Sequence, residues 1–220
     1  MENKSSSIEQ DIRSSFGKLA SQLGGDKQTI EKWTESLLTR YSESQRRYHT
    51  TTHIHSMLNC LTMSQSLVNN STAIQLFIFF HDWVYDPQRH DNELQSIAIF
   101  EDFAREVNIS EDIRNTVSHY IEATITHTMN YQDDTDLKLC LDYDLEVLGR
   151  DSAQYRLYAS QIRDEYSEFS EQKYASGRIA VLEKFLARDR LFFTEFYKEL
   201  EECARENLRG EITDLQAKLA

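Results

Sequence analysis

An all-α fold, a single helical bundle, is the architecture this chain predicts, and three features predict it. Among 220 residues there are only six Gly and one Pro. That is about 3% of the chain, against about 12% in average usage. A sandwich or barrel needs a tight turn every ~8–12 residues, which so few turn formers cannot supply. Apolar residues recur at helical spacing through most of the chain, and the breaks between runs are short and polar. One run, Ala73 to Phe80, is apolar on nearly every side, as befits a helix at the centre of a domain.

The elements follow in order. Ile8, Ile12, Phe16, Leu19 and Leu23 give an amphipathic helix over Ser5–Gly24, broken by Gly24-Gly25. Asp26 can cap a second helix, Lys27–Tyr41, with Ile30, Trp33, Leu37, Leu38 and Tyr41 on one face. Ser42–Thr52 is polar and loop-like, and a helix follows over Thr51–Val68. Asn69-Asn70-Ser71-Thr72 is a turn and cap cluster before the apolar run. His81–Asn92, which holds the lone Pro87, reads as an irregular loop. Further helices are expected over Glu93–Val107, Glu111–Thr128, Thr135–Leu148, Ser152–Phe169, Gln172–Leu186 and Phe192–Leu219, the last with a break near Gly210. No repeat and no linker stands out, so one domain over 1–220 is expected. Residues 1–40 would pack on a core over 41–150, and 151–220 would supply the C-terminal helices.

Charge narrows the function classes. Twenty-four basic against 37 acidic residues give a net charge of −13, which argues against binding a nucleic-acid duplex. The longest apolar run is far short of the ~20 residues that cross a bilayer, and the N-terminus has no apolar leader, so no membrane partner is expected. Cys60, Cys140 and Cys203 are odd in number and lack Cys-x-x-Cys spacing. Buried free thiols in a reducing, cytoplasmic setting are the expectation. The aromatic content fits core packing better than base stacking, because Phe77, Phe79, Phe80, Phe185, Phe192, Phe193 and Phe196 fall at helical spacings. Phe192-Phe193-x-x-Phe196-Tyr197 is nonetheless a candidate surface for a homodimer.

Histidine is where chemistry concentrates. Three of the seven lie within Tyr48–His55, and His49 and His53 are four apart, as two residues on one helix face would be. His81-Asp82 closes the most apolar helix, where an adjacent His and Asp are costly to bury unless paired or coordinating; the plainer reading is that the helix ends there and both meet water. Asp142 and Asp144 interrupt the apolar stretch Leu137–Leu145, where they could equally be a cap or a solvated face. Taken together, two imidazoles and two carboxylates suit zinc, manganese, iron, nickel or cobalt.

This pattern, His53 … His81-Asp82 … Asp142, resembles the ligand set of the HD superfamily of metal-dependent phosphohydrolases, an all-α family. The chain is most similar to the branch described as predicted metal-dependent HD phosphohydrolases. The motifs that carry the likeness are Tyr48-His49-x-x-x-His53, Phe80-His81-Asp82-x-x-Tyr85-Asp86 and Asn92-Glu93-x-x-Ser96. Thr124-x-x-His127, Asp142-x-Asp144-Leu145-x-x-Leu148-Gly149, Ile162-Arg163-x-Glu165-Tyr166 and Gly177-Arg178-x-x-Val181-Leu182 follow in order, the last running on to Phe185-Leu186. The resemblance covers the chain from about Tyr41 to its C-terminus, more than three quarters of the sequence.

The resemblance implies one divalent transition-metal ion held by His53, His81, Asp82 and Asp142, a second ion remaining open, and a small phosphorylated substrate cleaved by metal-activated water. Asp82 would also orient that water, and Asp144 would accept a hydrogen bond from a ligand histidine. His49 and His127 are the candidate proton donors, with Glu93 a candidate base or a helix N-terminal carboxylate. Arg46, with Arg47 beside it, Arg163 and Arg178 are candidate phosphate contacts, and Tyr48 and Tyr85 are candidate substrate contacts. Arg163 and Arg178 could equally form structural ion pairs. Many family members carry Lys three residues after the Asp of the pair; here Tyr85 stands there. Two alternatives are carried. One is a di-iron oxygenase using His119 and His127, eight apart on one helix; the other is a non-catalytic protein that binds nucleotide or phosphate.

Overall fold

The computed structural model describes residues 2–129 and 134–219, and every regular element among them is helical. Ten α-helices run in chain order: α1 Glu2–Gln22, α2 Lys27–Tyr41, α3 Thr51–Met63, α4 Ser71–Phe80, α5 Asn92–Glu106, α6 Glu111–Ala123, α7 Thr135–Leu145, α8 Ser152–Glu165, α9 Glu171–Leu186 and α10 Glu201–Ala217. Short 3₁₀ turns occupy Gln65–Leu67, Glu146–Gly149 and Glu195–Leu200. The all-α expectation is met. The chain forms two compact units, Met1–Cys140 and Leu141–Ala220, with the boundary inside α7.

In the first unit α4 is the axis. Ala73, Ile74, Leu76, Phe77, Ile78, Phe79 and Phe80 are all fully buried, so the helix is enclosed on every side. Asn70 caps it by accepting from the Ala73 N–H, and the buried carboxylate of Asp136 accepts from the N–H groups of Asn69 and Asn70. The start of α4 is therefore fixed by two acceptors aimed at otherwise orphaned donors. At its other end an aromatic cluster closes the core. Phe80 stacks on Trp83 at 4.7 Å, Trp83 meets Trp33 edge-on at 5.7 Å, and Phe16, Phe100 and Phe103 fill the remaining space.

In the second unit α10 is the axis, burying Ala204, Leu208 and Leu215 and packing against α8, α9 and the turns Glu146–Gly149 and Glu195–Leu200. Asn207 donates from its side-chain amide to the carbonyls of Leu148 and Arg150, which ties that first turn to α10. A Cβ at Gly149 would fall 2.5 Å from the Leu200 Cβ, so only glycine fits this approach.

Several helix boundaries differ from the periodicity, and three of them have a clear local reason; α7 and α8 also end three and four residues earlier than expected, at Leu145 and Glu165. Ser64 donates from its hydroxyl to the Cys60 carbonyl, and α3 gives way to a 3₁₀ turn instead of running to Val68. Thr124 does the same to the Ile121 carbonyl, and α6 stops at Ala123 instead of Thr128. The expected Phe192–Leu219 helix starts only at Glu201, because the N–H groups of Leu191 to Thr194 are taken by the carboxylates of Glu201 and Asp142. Gly210 does not break α10, and nothing lies within 4 Å of where its Cβ would be. Cys60 and Cys140 are buried and form no disulfide; Cys203 is half-exposed, its Sγ–H directed at the Arg150 carbonyl. No helix among the described residues is long and apolar enough to cross a membrane.

Candidate metal centre

The centre is assembled from two places in the first unit. The first is the entry to α3. Thr50 accepts from the Thr52 N–H and starts the helix, so His53 lies in its first turn and His49 just before it, in the loop. The second is the exit from α4, where the His81 N–H still bonds to the Phe77 carbonyl and the chain turns at Asp82 and Trp83.

The donor atoms converge. His81 Nε2 lies 3.1 Å from Asp82 Oδ2 and 3.3 Å from His53 Nε2, and His53 Nε2 lies 4.0 Å from Asp82 Oδ2. Two donors bound to one ion at about 2.0–2.2 Å stand about 2.8–3.6 Å apart in tetrahedral or cis-octahedral geometry. Two of the three separations fall in that window, and the third, 4.0 Å, lies a few tenths of an ångström outside it. Among the described residues this is the group of three such side chains whose ligand atoms gather around one point. His49 Nε2 approaches the same carboxylate oxygen, at 3.9 Å.

Hydrogen bonding orients the set. His81 Nδ1 is 3.1 Å from the Ile78 carbonyl, an acceptor, so Nδ1 carries the proton. Nε2 is then the ring nitrogen that faces the Asp82 carboxylate, and without a second proton it presents a lone pair there. Two acceptors at that distance repel unless a positive charge lies between them, as a proton or as a cation. The residues present thus fit a small divalent cation: imidazole and carboxylate donors, correct spacing, and a backbone partner that fixes the histidine tautomer.

The cluster is graded in exposure. The side chains of His53 and His81 are 1% exposed, while His49 and Asp82 are 16% and 21% exposed, so solvent and ligand approach from the His49–Asp82 side. Tyr85 stacks on His49 at 4.1 Å, and the Tyr48 ring lies 4.9 Å from that of His53. Both candidate substrate-contact tyrosines therefore border the cluster.

Arg46 was expected at the substrate, and the structure turns it inward. Its side chain has no exposed surface. The guanidinium donates to the carbonyls of Asp82 (2.7 Å), Trp83 (2.9 Å) and His49 (3.3 Å), and to Glu43 (3.3 Å). Arg163 and Arg178 belong to the second unit and are structural there. Arg163 donates to the carbonyls of Tyr166 and Phe169 and lies over the Tyr174 ring. Arg178 pairs with both oxygens of Glu211, which also accepts from Tyr155; against the cost of burial, Tyr158 and then Glu211 hold the guanidinium above its ordinary pKa. Glu93 stands half-buried in the first turn of α5, where the helix dipole favours a carboxylate.

Asp142 is fully buried in the second unit, and both oxygens are engaged there. Oδ1 accepts from Phe193 N–H at 2.7 Å; Oδ2 accepts from Thr194 N–H at 2.9 Å and Thr194 Oγ1 at 2.5 Å. Burial pushes this carboxyl up to about 6 in spite of those donors. Three of the roughly four lone-pair sites of the carboxylate are committed, which is the geometry of an anchor for the Phe193–Thr194 turn. His127 lies four residues beyond α6 with a left-handed backbone (φ 48°), and His119 is exposed on α6, so one helix does not present both.

Sequence reasoning missed the supports. Ser96 Oγ accepts from the Val84 N–H, while Asn92 accepts from the Asp86 N–H and donates to the Asp86 carbonyl. Asn92 and Ser96 of the motif Asn92-Glu93-x-x-Ser96 thus pin the loop that follows His81-Asp82. The signal was present in the motif, but its role needs the loop's path. Phe192 packs on Tyr197 within its own unit, whereas Phe196 is exposed. No family model, curated protein or solved structure matches the chain.

Proposed function

We propose that this protein is a metal-dependent phosphohydrolase of the HD type, built on His53, His81 and Asp82. The observation that supports this most is the convergence of those three donors within 4.0 Å, with His81 held in the tautomer that offers Nε2. A divalent ion bound there supplies Lewis acidity and makes water more acidic. The chain's own residues supply the rest. His53 and His81 form a floor closed to solvent, and Asp82 stands at the mouth, where its carboxylate can orient a water or take its proton. His49, fixed by its stack on Tyr85, is placed to hold a proton toward a leaving oxygen. Tyr48 and Tyr85 offer rings and hydroxyls to a small phosphorylated substrate. A reducing cytoplasm belongs to the same proposal, motivated by three cysteines that form no disulfide.

A second reading keeps the site without turnover, as a nucleotide or phosphate sensor. Its motive is specific: Tyr85 stands where many relatives in the resembled family carry Lys, and Arg46 is committed to backbone carbonyls. The test is a phosphomonoester, phosphodiester and nucleotide screen with Mn, Co, Ni and Zn after chelator treatment. Turnover lost in His81→Ala and Asp82→Ala supports the hydrolase. Metal-dependent thermal stabilisation by a phosphate ligand without turnover supports the sensor. Neither turnover nor stabilisation with any metal refutes both.

A further inference from the structure

We propose that Arg46 is a positioning residue that sets the geometry of the metal centre; this deepens the metal-site reading and rests on it. The centre has two halves, the segment before α3 that carries His49 and His53 and the turn after α4 that carries His81 and Asp82. Arg46 joins them. One guanidinium nitrogen, Nη1, donates to both the His49 and the Asp82 carbonyls, and Nη2 donates to Trp83. Nε turns to Glu43, and the flat face lies 4.8 Å from the Tyr41 ring and 5.6 Å from the Tyr85 ring.

Each contact has a physical consequence. The carbonyls of Asp82 and Trp83 lie in the turn just beyond α4, near the negative end of the helix dipole. A buried cation there satisfies both. The bond to the Asp82 carbonyl fixes the backbone of a ligand residue, and the bond to His49 fixes the loop that delivers the other half. Tyr85, which stacks on His49, rests against the same guanidinium. Only the planar fork of arginine reaches three carbonyls and a carboxylate at once while stacking between two rings; a lysine ammonium is a single point of donation.

The test uses the full chain and cobalt(II), read by its visible absorption, in Arg46→Lys, Arg46→Gln and Arg46→Gly. The melting temperature of each metal-free variant is measured alongside, and binding is compared well below it. Loss of groups that orient metal ligands typically costs 10–100-fold in metal affinity. We expect a loss of that order in Arg46→Lys and Arg46→Gln while both remain helical, with a changed cobalt spectrum. Dilute guanidinium should restore part of the affinity in Arg46→Gly, and methylammonium should not. A folded Arg46→Lys or Arg46→Gln that binds cobalt with wild-type affinity and spectrum overturns the proposal, even if its melting temperature falls. If the wild-type chain takes up no cobalt, the metal-site reading itself fails, and this proposal falls with it.

Discussion

Replacing Asp142 by Asn separates an anchor from a metal ligand and does so with a pH signature. The carboxylate accepts three hydrogen bonds from Phe193 and Thr194 in a fully buried place. Asparagine keeps the shape but has one acceptor oxygen. Facing Thr194, it turns its amide N–H₂ toward the Phe193 N–H, leaving a buried donor unsatisfied at a cost of about 1–3 kcal/mol. Against this, the native carboxyl titrates near 6, above an ordinary value of 3.8, because burial disfavours its charge. The folded state thus holds a proton that the unfolded state releases between these pH values, and wild-type stability falls as pH rises from about 4 through about 6. A shift of about two units at 1.36 kcal/mol each gives roughly 3 kcal/mol. Asparagine does not titrate. The wild type should therefore exceed Asp142→Asn by the most near pH 4, and the gap should narrow by about 3 kcal/mol by pH 7. Urea unfolding of both proteins at several pH values measures it, with metal chelated throughout. A gap constant from pH 4 to 7 refutes the reasoning.

Other outcomes follow from single contacts. Gly149→Ala forces a Cβ against Leu200 and should destabilise by about 1–3 kcal/mol, read by urea denaturation. Gly210→Ala, in open helix surface, should raise stability by up to about 1 kcal/mol. Glu211→Gln strips the buried Arg178 of its charge partner and should cost about 3–5 kcal/mol, whereas Arg178→Met with Glu211→Leu together should cost less than Glu211→Gln alone. A double change at least as harmful as Glu211→Gln alone would show that the pair does not behave as a buried ion pair.

The fold class was legible because its causes are local and repeated. Scarce Gly and Pro, helical spacing and an all-apolar run at Ala73–Phe80 each state a preference that packing reinforces. The helix ends were less legible where a side chain competes with the backbone, as Ser64 and Thr124 do, or where a distant carboxylate captures N–H groups, as Asp142 and Glu201 do at Leu191–Thr194. At the centre, the convergence of His53, His81 and Asp82 follows the spacing of residue types along the chain. The arginines did not follow it. A guanidinium beside two histidines reads as a phosphate contact in sequence, and only the path of the chain reveals that Arg46 faces the carbonyls at the end of α4. The bonds of Asp142 to Phe193 and Thr194 span some fifty residues, and no local pattern announces them.

The central claim is that His53, His81 and Asp82 grip one divalent ion. Equilibrium dialysis of the chelator-stripped chain against cobalt or manganese, followed by elemental mass spectrometry, measures it directly. About one ion per chain is expected in the wild type, with a clear loss in His53→Ala, His81→Ala and Asp82→Ala variants that remain helical. Equal metal content in all four proteins, or none in the wild type, would contradict it.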